Sequence, residues 1–321
     1  MKFIVIGCGS IGEMHTKNLL SLGQEVFVYD KDLVRIQNLV NRYKVQTYDF
    51  KSHHIPIDAF VICTPPNSHI PLAFEGLEHN AHLFIEKPIS HTLDEVDEVI
   101  ALAKEQDKVI QIGYQFRFHP GLKLVKQLLD EGKIGKLLSI RAEFGQYLPD
   151  WHPQEDYRNL YACYEEQGGG IILDGSHEID YVVWLVGDEV SEVSCLAGKL
   201  SNLEVNTEDI AEINLKFRNG VISNIHTDFI QRTYTRGCKL YGERGAIMWM
   251  PYEDYLYLFT PKQKNIKIKP KIDMYIEEMR NFIACIEGKE KPVVDGETGK
   301  RVLEIALAAK ESAKVGEVVK I

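Results

Sequence analysis

Short apolar runs alternate with stretches of helical apolar spacing through the first third of the chain. Lys2–Gly7, Glu25–Asp30, Ala59–Thr64, His82–Glu86 and Val109–Tyr114 read as strands. Ile11–Leu22, Leu33–Tyr43, Ser68–His79 and Leu93–Lys104 read as helices. Ala-Phe-Val-Ile-Cys has no polar position, which suits a strand buried on both faces. Strands separated by helices imply βαβ units, hence a doubly wound parallel sheet of the Rossmann type.

The pattern then changes. Pro120–Glu131 reads as a helix, Lys136–Gly145 as a long strand, and 146–167 as a polar stretch rich in aromatics. Ile171–Val186 has strong helical spacing. From Glu189 to about Lys269, period-2 alternation recurs between turn signals: Asn-Gly at 219–220, Glu-Arg-Gly at 243–245 and Pro251. Strands without intervening helices predict a large, open, mostly antiparallel sheet. Met274–Ile286 and Thr298–Val315 close the chain as helices. The expectation is an α/β protein of two domains: a doubly wound domain over 1–118, and an α+β domain over 119–321. A chain of 321 residues exceeds what one core usually serves, which agrees with two.

Charge narrows the partners. The formal net charge of −10 argues against nucleic acid and anionic membranes, which need clustered Lys and Arg. The six cysteines are scattered with no CxxC pair, which suggests reduced thiols, a cytoplasmic setting and no metal site. Met1–Ile6 is too short for a signal-peptide core, and no run reaches a membrane-spanning length.

Gly7-Cys8-Gly9-Ser10-Ile11-Gly12 fits G-x-G-x-x-G between a strand and a helix. That context separates a dinucleotide loop from an ordinary strand–helix turn, because glycines let a pyrophosphate approach the backbone at a helix N-terminus. Asp30 ends the second strand, 18 residues after Gly12, where a carboxylate takes the adenosine ribose hydroxyls and repels a 2′-phosphate. NAD is therefore expected rather than NADP, although Lys31 beside Asp30 pulls the other way, and Asp30 or Asp32 also suits a helix cap. Thr64-Pro65-Pro66-Asn67-Ser68-His69 follows a parallel strand, where open α/β sheets bind ligands, and equally suits a proline-rich turn.

Glu86-Lys87-Pro88 sets a charged pair at a strand's carboxyl end, although such a tripeptide is also a common surface turn. Gly168-Gly169-Gly170 precedes a predicted helix with Asp174, His177 and Asp180, three apart and so on one face. Taken in order, these motifs resemble the Gfo/Idh/MocA oxidoreductase family, across essentially the whole chain. The carriers are Gly7–Gly12, Thr64–Pro66 with Asn67 and His69, Glu86-Lys87-Pro88, Gly113-Tyr114-Gln115 with Arg117, and Gly168–Gly170 through Asp174 and His177.

The resemblance implies NAD held by Gly7, Gly9, Ser10, Ile11, Gly12, Asp30, Thr64, Pro65, Asn67, His69, Glu86, Lys87 and Gln115. It also implies Lys87 at the nicotinamide and substrate, His177 as general base with Asp174, and a sheet that pairs subunits into a homodimer or homotetramer. Many members of the family separate the Asp and the His by four positions. Here the separation is three, and on a continuous helix one residue turns a side chain by about 100°.

Gly145–Pro153 with Asp156-Tyr157-Arg158 looks like a substrate loop. Tyr147, Trp151 and Tyr157 suit stacking on sugar CH groups; Arg117, His152 and Arg158 suit hydroxyls or a phosphate. The same stretch equally suits a packed connection. The expected reaction is hydride exchange with a sugar, cyclitol or sugar nucleotide. A glycoside-cleaving enzyme that retains NAD, and a non-catalytic dinucleotide sensor, are the alternatives the family offers.

Overall fold

The structure is a computed structural model that describes residues 1–50, 55–253, 255–261, 264–268 and 273–321. The expected end of the strand series at Lys269 lies outside these. The chain forms two compact units, Met1–Gln115 with Asp273–Arg301, and Phe116–Ile272 with Val302–Ile321. They are not consecutive halves meeting at 118, because 273–301 returns to the first unit.

In the first unit β1 (Lys2–Ile6), α1 (Ser10–Ser21), β2 (Glu25–Tyr29), α2 (Leu33–Tyr43), β3 (Gln46–Thr47), β4 (Ala59–Ile62), α3 (His69–Glu78), β5 (His82–Glu86), α4 (Val96–Glu105) and β6 (Ile110–Gly113) follow one another. Asp32 caps α2 through the Val34 N–H, and Lys44 ends it in the left-handed conformation. The six strands are all parallel, in the order β3-β2-β1-β4-β5-β6. β4 and β6 are buried at every position; β4 is apolar throughout, whereas β6 also buries Gln111. The two-residue β3 is too short to carry a sequence pattern, and α4 starts at Val96, later than its apolar spacing suggests. The returning segment completes the core. α8 (Met274–Ile286) sets Met279 and Phe282 beside Phe3, Val5 and Phe84, and Ile112 N–H donates to Val294 O at 2.9 Å.

The second unit opens with α5 (Pro120–Asp130) and β7 (Leu137–Gly145), followed by four short 3-10 turns between Leu148 and Gln167. The predicted helix 171–186 is two helices, α6 (Ile171–Asp174) and α7 (Ser176–Val186), interrupted at Gly175. There Thr227 and the Ile171 carbonyl crowd the glycine so closely that a Cβ would stand 2.7–2.8 Å from them.

Then come β8 (Val190–Gly198), β9 (Ile210–Phe217), β10 (Ile222–Asp228), β11 (Thr235–Gly242), β12 (Gly245–Trp249), β13 (Tyr255–Phe259) and β14 (Lys264–Lys267). α9 (Gly296–Val315) starts in the first unit and ends in the second, before β15 (Val319–Lys320). Among the described residues nine strands run β14-β13-β12-β11-β7-β10-β9-β8-β15, and only β7 and β10 are parallel neighbours.

One sheet face packs on α5, α6 and α7, where Trp249, Tyr181 and Phe116 stack edge to face. Ile247 and Trp249 are fully buried on that inner face and take no part in the outer face. Its central row instead runs Glu212, His226, Glu143 across β9, β10 and β7. Leu196, Ile222, Tyr241 and Tyr255 are exposed around it.

Candidate active site

The glycine loop leaves β1 and enters α1. Gly7 has a φ of 94°, and a Cβ there would stand 2.6 Å from the Cys63 carbonyl oxygen. A Cβ on Gly12 would stand 1.8 Å from Gly7 O. No side chain larger than hydrogen permits this turn. Gly9 occupies the helix N-cap, so no side-chain cap bond is made to the first turn of α1, the kind of helix N-terminus that suits an anion. Asp30 stands at the end of β2, where its Oδ2 accepts the Cys8 N–H at 2.6 Å and its Oδ1 the Asp32 N–H at 2.8 Å. The carboxylate is thereby fixed at the rim of the loop. Arg35 brings a cation to the loop: its guanidinium lies 3.6 Å from where a Gly9 Cβ would be. Burial pushes the Cys8 thiol up to about 12, so it is an inert filler. This cradle fits a dinucleotide.

The next strand ends supply more. Thr64 Oγ1 accepts from Ser68 Oγ at 2.7 Å, and Pro65 precedes the 3-10 turn containing Asn67. His69 is fully buried, with Nδ1 2.9 Å from Pro88 O and Nε2 2.8 Å from Thr64 O. Burial holds its pKa below the usual value. The ring braces two loops against each other, which corrects its expected place among the cofactor contacts. Glu86 ends β5 with Oε1 2.7 Å from His15 Nε2, and Lys87 follows it. Gln115 Nε2 donates to the Tyr275 hydroxyl at 3.1 Å. The sequence offered no motif for His15 or Tyr275. His15 reads as one more position on the helix, and Tyr275 lies 160 residues from its partner.

In the second unit the Gly175 break removes the premise that Asp174, His177 and Asp180 share one helix face. Asp174 ends α6, and its Oδ1 accepts the Tyr161 hydroxyl at 2.5 Å. His177 stands in the first turn of α7, buried edge-on against Phe116 at 5.2 Å between centroids. The interruption between the two also removes the 100° argument, which holds only on a continuous helix. Asp180 and Arg117 are taken by each other: Nε and Nη2 each donate to one carboxylate oxygen at 2.8 Å, both groups buried. Burial pushes the Asp180 carboxyl up and Arg117 opposes the rise. Arg117 also lies over the Trp184 ring, so it is a core residue and not the substrate contact expected of it. Next to His177, Glu178 pairs with Arg236 at 2.9 Å, and that guanidinium stacks on Phe144 and Phe116.

The 146–167 stretch is firmly built. Trp151 packs on Phe229 and Phe144, and its Nε1 donates to Gln146 O. Arg158 forks onto Asp156 and reaches Glu204, while the Tyr157 hydroxyl accepts the Glu204 N–H. These three anchor the segment, as a packed connection would. Tyr147 differs: its ring lies under Arg232, 3.6 Å from centroid to guanidinium, and both are solvent-accessible. His152 is half-buried in the same stretch. Among the described residues no helix is long and apolar enough to cross a membrane, and no group of three metal-ligating side chains gathers.

A six-stranded parallel sheet with a glycine cradle at β1–α1 and a carboxylate ending β2 defines a dinucleotide-binding protein. Residues 1–114 match the family model of the oxidoreductase family with an NAD-binding Rossmann fold, and 122–248 match the GFO/IDH/MocA C-terminal domain. The chain belongs to the Gfo/Idh/MocA oxidoreductases, and its cofactor is NAD. It is 28% identical to myo-inositol 2-dehydrogenase of Thermotoga maritima, over all of this chain and 98% of that one. A solved probable dehydrogenase from Thermotoga maritima is 26% identical with a TM-score of 0.83, over 100% and 98% of the two chains. An oxidoreductase from Agrobacterium radiobacter, solved in complex with NAD+, L-tartaric acid and magnesium, has the same fold at a TM-score of 0.88 and 20% identity, over 100% and 98%.

Proposed function

We propose that this chain is an NAD-dependent dehydrogenase that oxidises a secondary hydroxyl of a sugar, cyclitol or sugar nucleotide, and reduces the ketone in reverse. The observation that carries the reading is the pair of buried ionisable side chains flanking Gly175, Asp174 and His177, in a chain of an NAD-binding oxidoreductase family. Bound NAD supplies the two-electron oxidant. His177 takes the hydroxyl proton, a task suited to an imidazole with an ordinary pKa near ~6.5. Asp174, fixed by the Tyr161 hydroxyl, orients His177. Lys87 stabilises the negative charge that grows on the substrate oxygen. Tyr147 and His152 meet the sugar, with Arg232 added beside Tyr147. Named relatives that act as dehydrogenases favour simple oxidation over glycoside cleavage.

The test is absorbance at 340 nm with NAD and a panel of polyols that includes myo-inositol, scyllo-inositol and a nucleotide sugar. A rise with at least one of them is expected. Product formed without any net reduction would redirect the reading to transient oxidation. In an active assay, His177→Ala should lower turnover about 10²–10⁴-fold while NAD affinity stays nearly constant. Lys87→Ala should also slow turnover. Asp174→Ala should depress it if Asp174 acts through His177. Full turnover in folded His177→Ala protein would end the assignment.

The same reading includes assembly in the cytoplasm as a homodimer or homotetramer through the outer face of the nine-stranded sheet. Its support is the exposed Leu196, Ile222, Tyr241 and Tyr255. A monomeric mass by light scattering at micromolar concentration would contradict it.

A further inference from the structure

His15 lies on α1, three residues past Gly12, and is fully buried. Its Nε2 stands 2.7 Å from Glu86 Oε1, while its Nδ1 meets no hydrogen-bond partner among the described residues. A buried N–H is rarely left orphaned, whereas an unused lone pair is tolerated more readily. The proton therefore sits on Nε2, and His15 donates to the carboxylate. The rings of Phe84 and Tyr275 stand edge-on to the imidazole, at 5.0 and 6.4 Å, and confine it.

Glu86 passes the constraint on. Its other oxygen, Oε2, accepts the backbone N–H of Lys87 at 3.2 Å. Lys87 lies one residue beyond β5, where the sheet ladder no longer fixes the backbone, and Pro88 after it has no N–H to give. On β6 the register partner of Glu86 is Gly113, and a Cβ there would come within 3.0 Å of the carboxyl carbon and both oxygens. Helix α1, the end of β5 and the end of β6 thus build a space for one carboxylate whose free oxygen holds one amide.

We propose that His15 and Glu86 are positioning residues for Lys87: His15 locks the Glu86 carboxylate, and the carboxylate locks the Lys87 backbone. The clamp gives Lys87 a catalytic consequence only through the reading of Lys87 above, on which that part rests. The geometry of the clamp stands apart from it.

The experiment uses the full chain labelled with 15N-lysine, with the Lys87 amide identified by its loss in Lys87→Arg, and hydrogen exchange followed with and without added NAD. In His15→Ala the Lys87 amide should exchange about tenfold faster while the other lysine amides keep their rates. His15→Gln, whose side-chain amide offers a donor at similar reach, should restore the rate to within about threefold. Glu86→Gln gives the same reading if His15→Ala does not fold. NAD affinity by calorimetry should change little in the two His15 variants. An unchanged Lys87 rate in a folded variant overturns the clamp. So does a uniform acceleration of all lysine amides that His15→Gln does not rescue, because that marks general loosening. Turnover of Lys87→Ala on myo-inositol separates the two claims: unaffected turnover ends the catalytic role of Lys87, and the exchange data still decide the clamp.

Discussion

Removing Arg117 should unfold the second unit rather than weaken substrate binding. The side chains of Arg117 and Asp180 are 8% and 0% exposed and joined by two hydrogen bonds of 2.8 Å, so neither charge has water to fall back on. Arg117→Met fills much of the same volume but leaves a buried, unpaired carboxylate. Breaking one side of such a pair costs about 3–5 kcal/mol. For a unit of this size that corresponds to a fall in Tm of roughly 6–20 °C. The pH dependence has a fixed sign. Burial already pushes Asp180 up, and Arg117→Met removes the group that opposes this. A carboxylate whose folded pKa is raised above about 3.9 destabilises the fold at higher pH, so the deficit should shrink as pH falls toward about 4. Asp180→Leu added to Arg117→Met should recover much of the loss, because the orphaned charge goes with it. Calorimetric scans at pH 7 and pH 5 on the three proteins make the measurement. A Tm within 2 °C of the parent in Arg117→Met, together with a raised KM, would refute the reasoning and return Arg117 to the substrate.

Two other expectations follow from particular contacts. NAD should bind more tightly than NADP, because Asp30 is pinned at the loop rim by the Cys8 and Asp32 N–H groups. Replacing Asp30 by Ser should narrow the gap by about tenfold or more, by calorimetric titration with both dinucleotides, and an unaltered ratio would show that Arg35 dominates. His226 sits between Asp228 and Glu212 at 2.8 and 2.6 Å, and these carboxylates raise its pKa to about 9. A raised imidazole stabilises below its unfolded value near ~6.5, and that stability is lost as pH climbs through about 9. After allowance for solvent screening this is about 1–2 kcal/mol. His226→Gln should therefore lower stability to urea at pH 6 and match the parent at pH 10, and an equal deficit at both would show that the histidine contributes by packing alone.

The chemical pattern of the sequence already determined the nucleotide half. Apolar runs, glycine spacing and Asp30 are local signals: β4, buried on both faces, is apolar at each position, and a turn in which a Cβ on Gly12 would stand 1.8 Å from the Gly7 carbonyl oxygen admits only glycine there. Helix and strand boundaries fell within a few residues, for the same reason. His177 and Lys87 were legible as candidates because their motifs are contiguous. What the tertiary structure decided were the partners. Whether Arg117 reaches out or pairs inward depends on Asp180, 63 residues away, and whether His69 meets a ligand depends on the Pro88 carbonyl. The break at Gly175 depends on Thr227 pressing against it from another strand. The return of 273–301 to the first unit was hidden because an amphipathic helix declares that it has a buried face, but not against which sheet. Charges and polar rings are ambiguous in sequence for a physical reason: the same group is a ligand when exposed and a brace when buried, and burial is set by residues far along the chain.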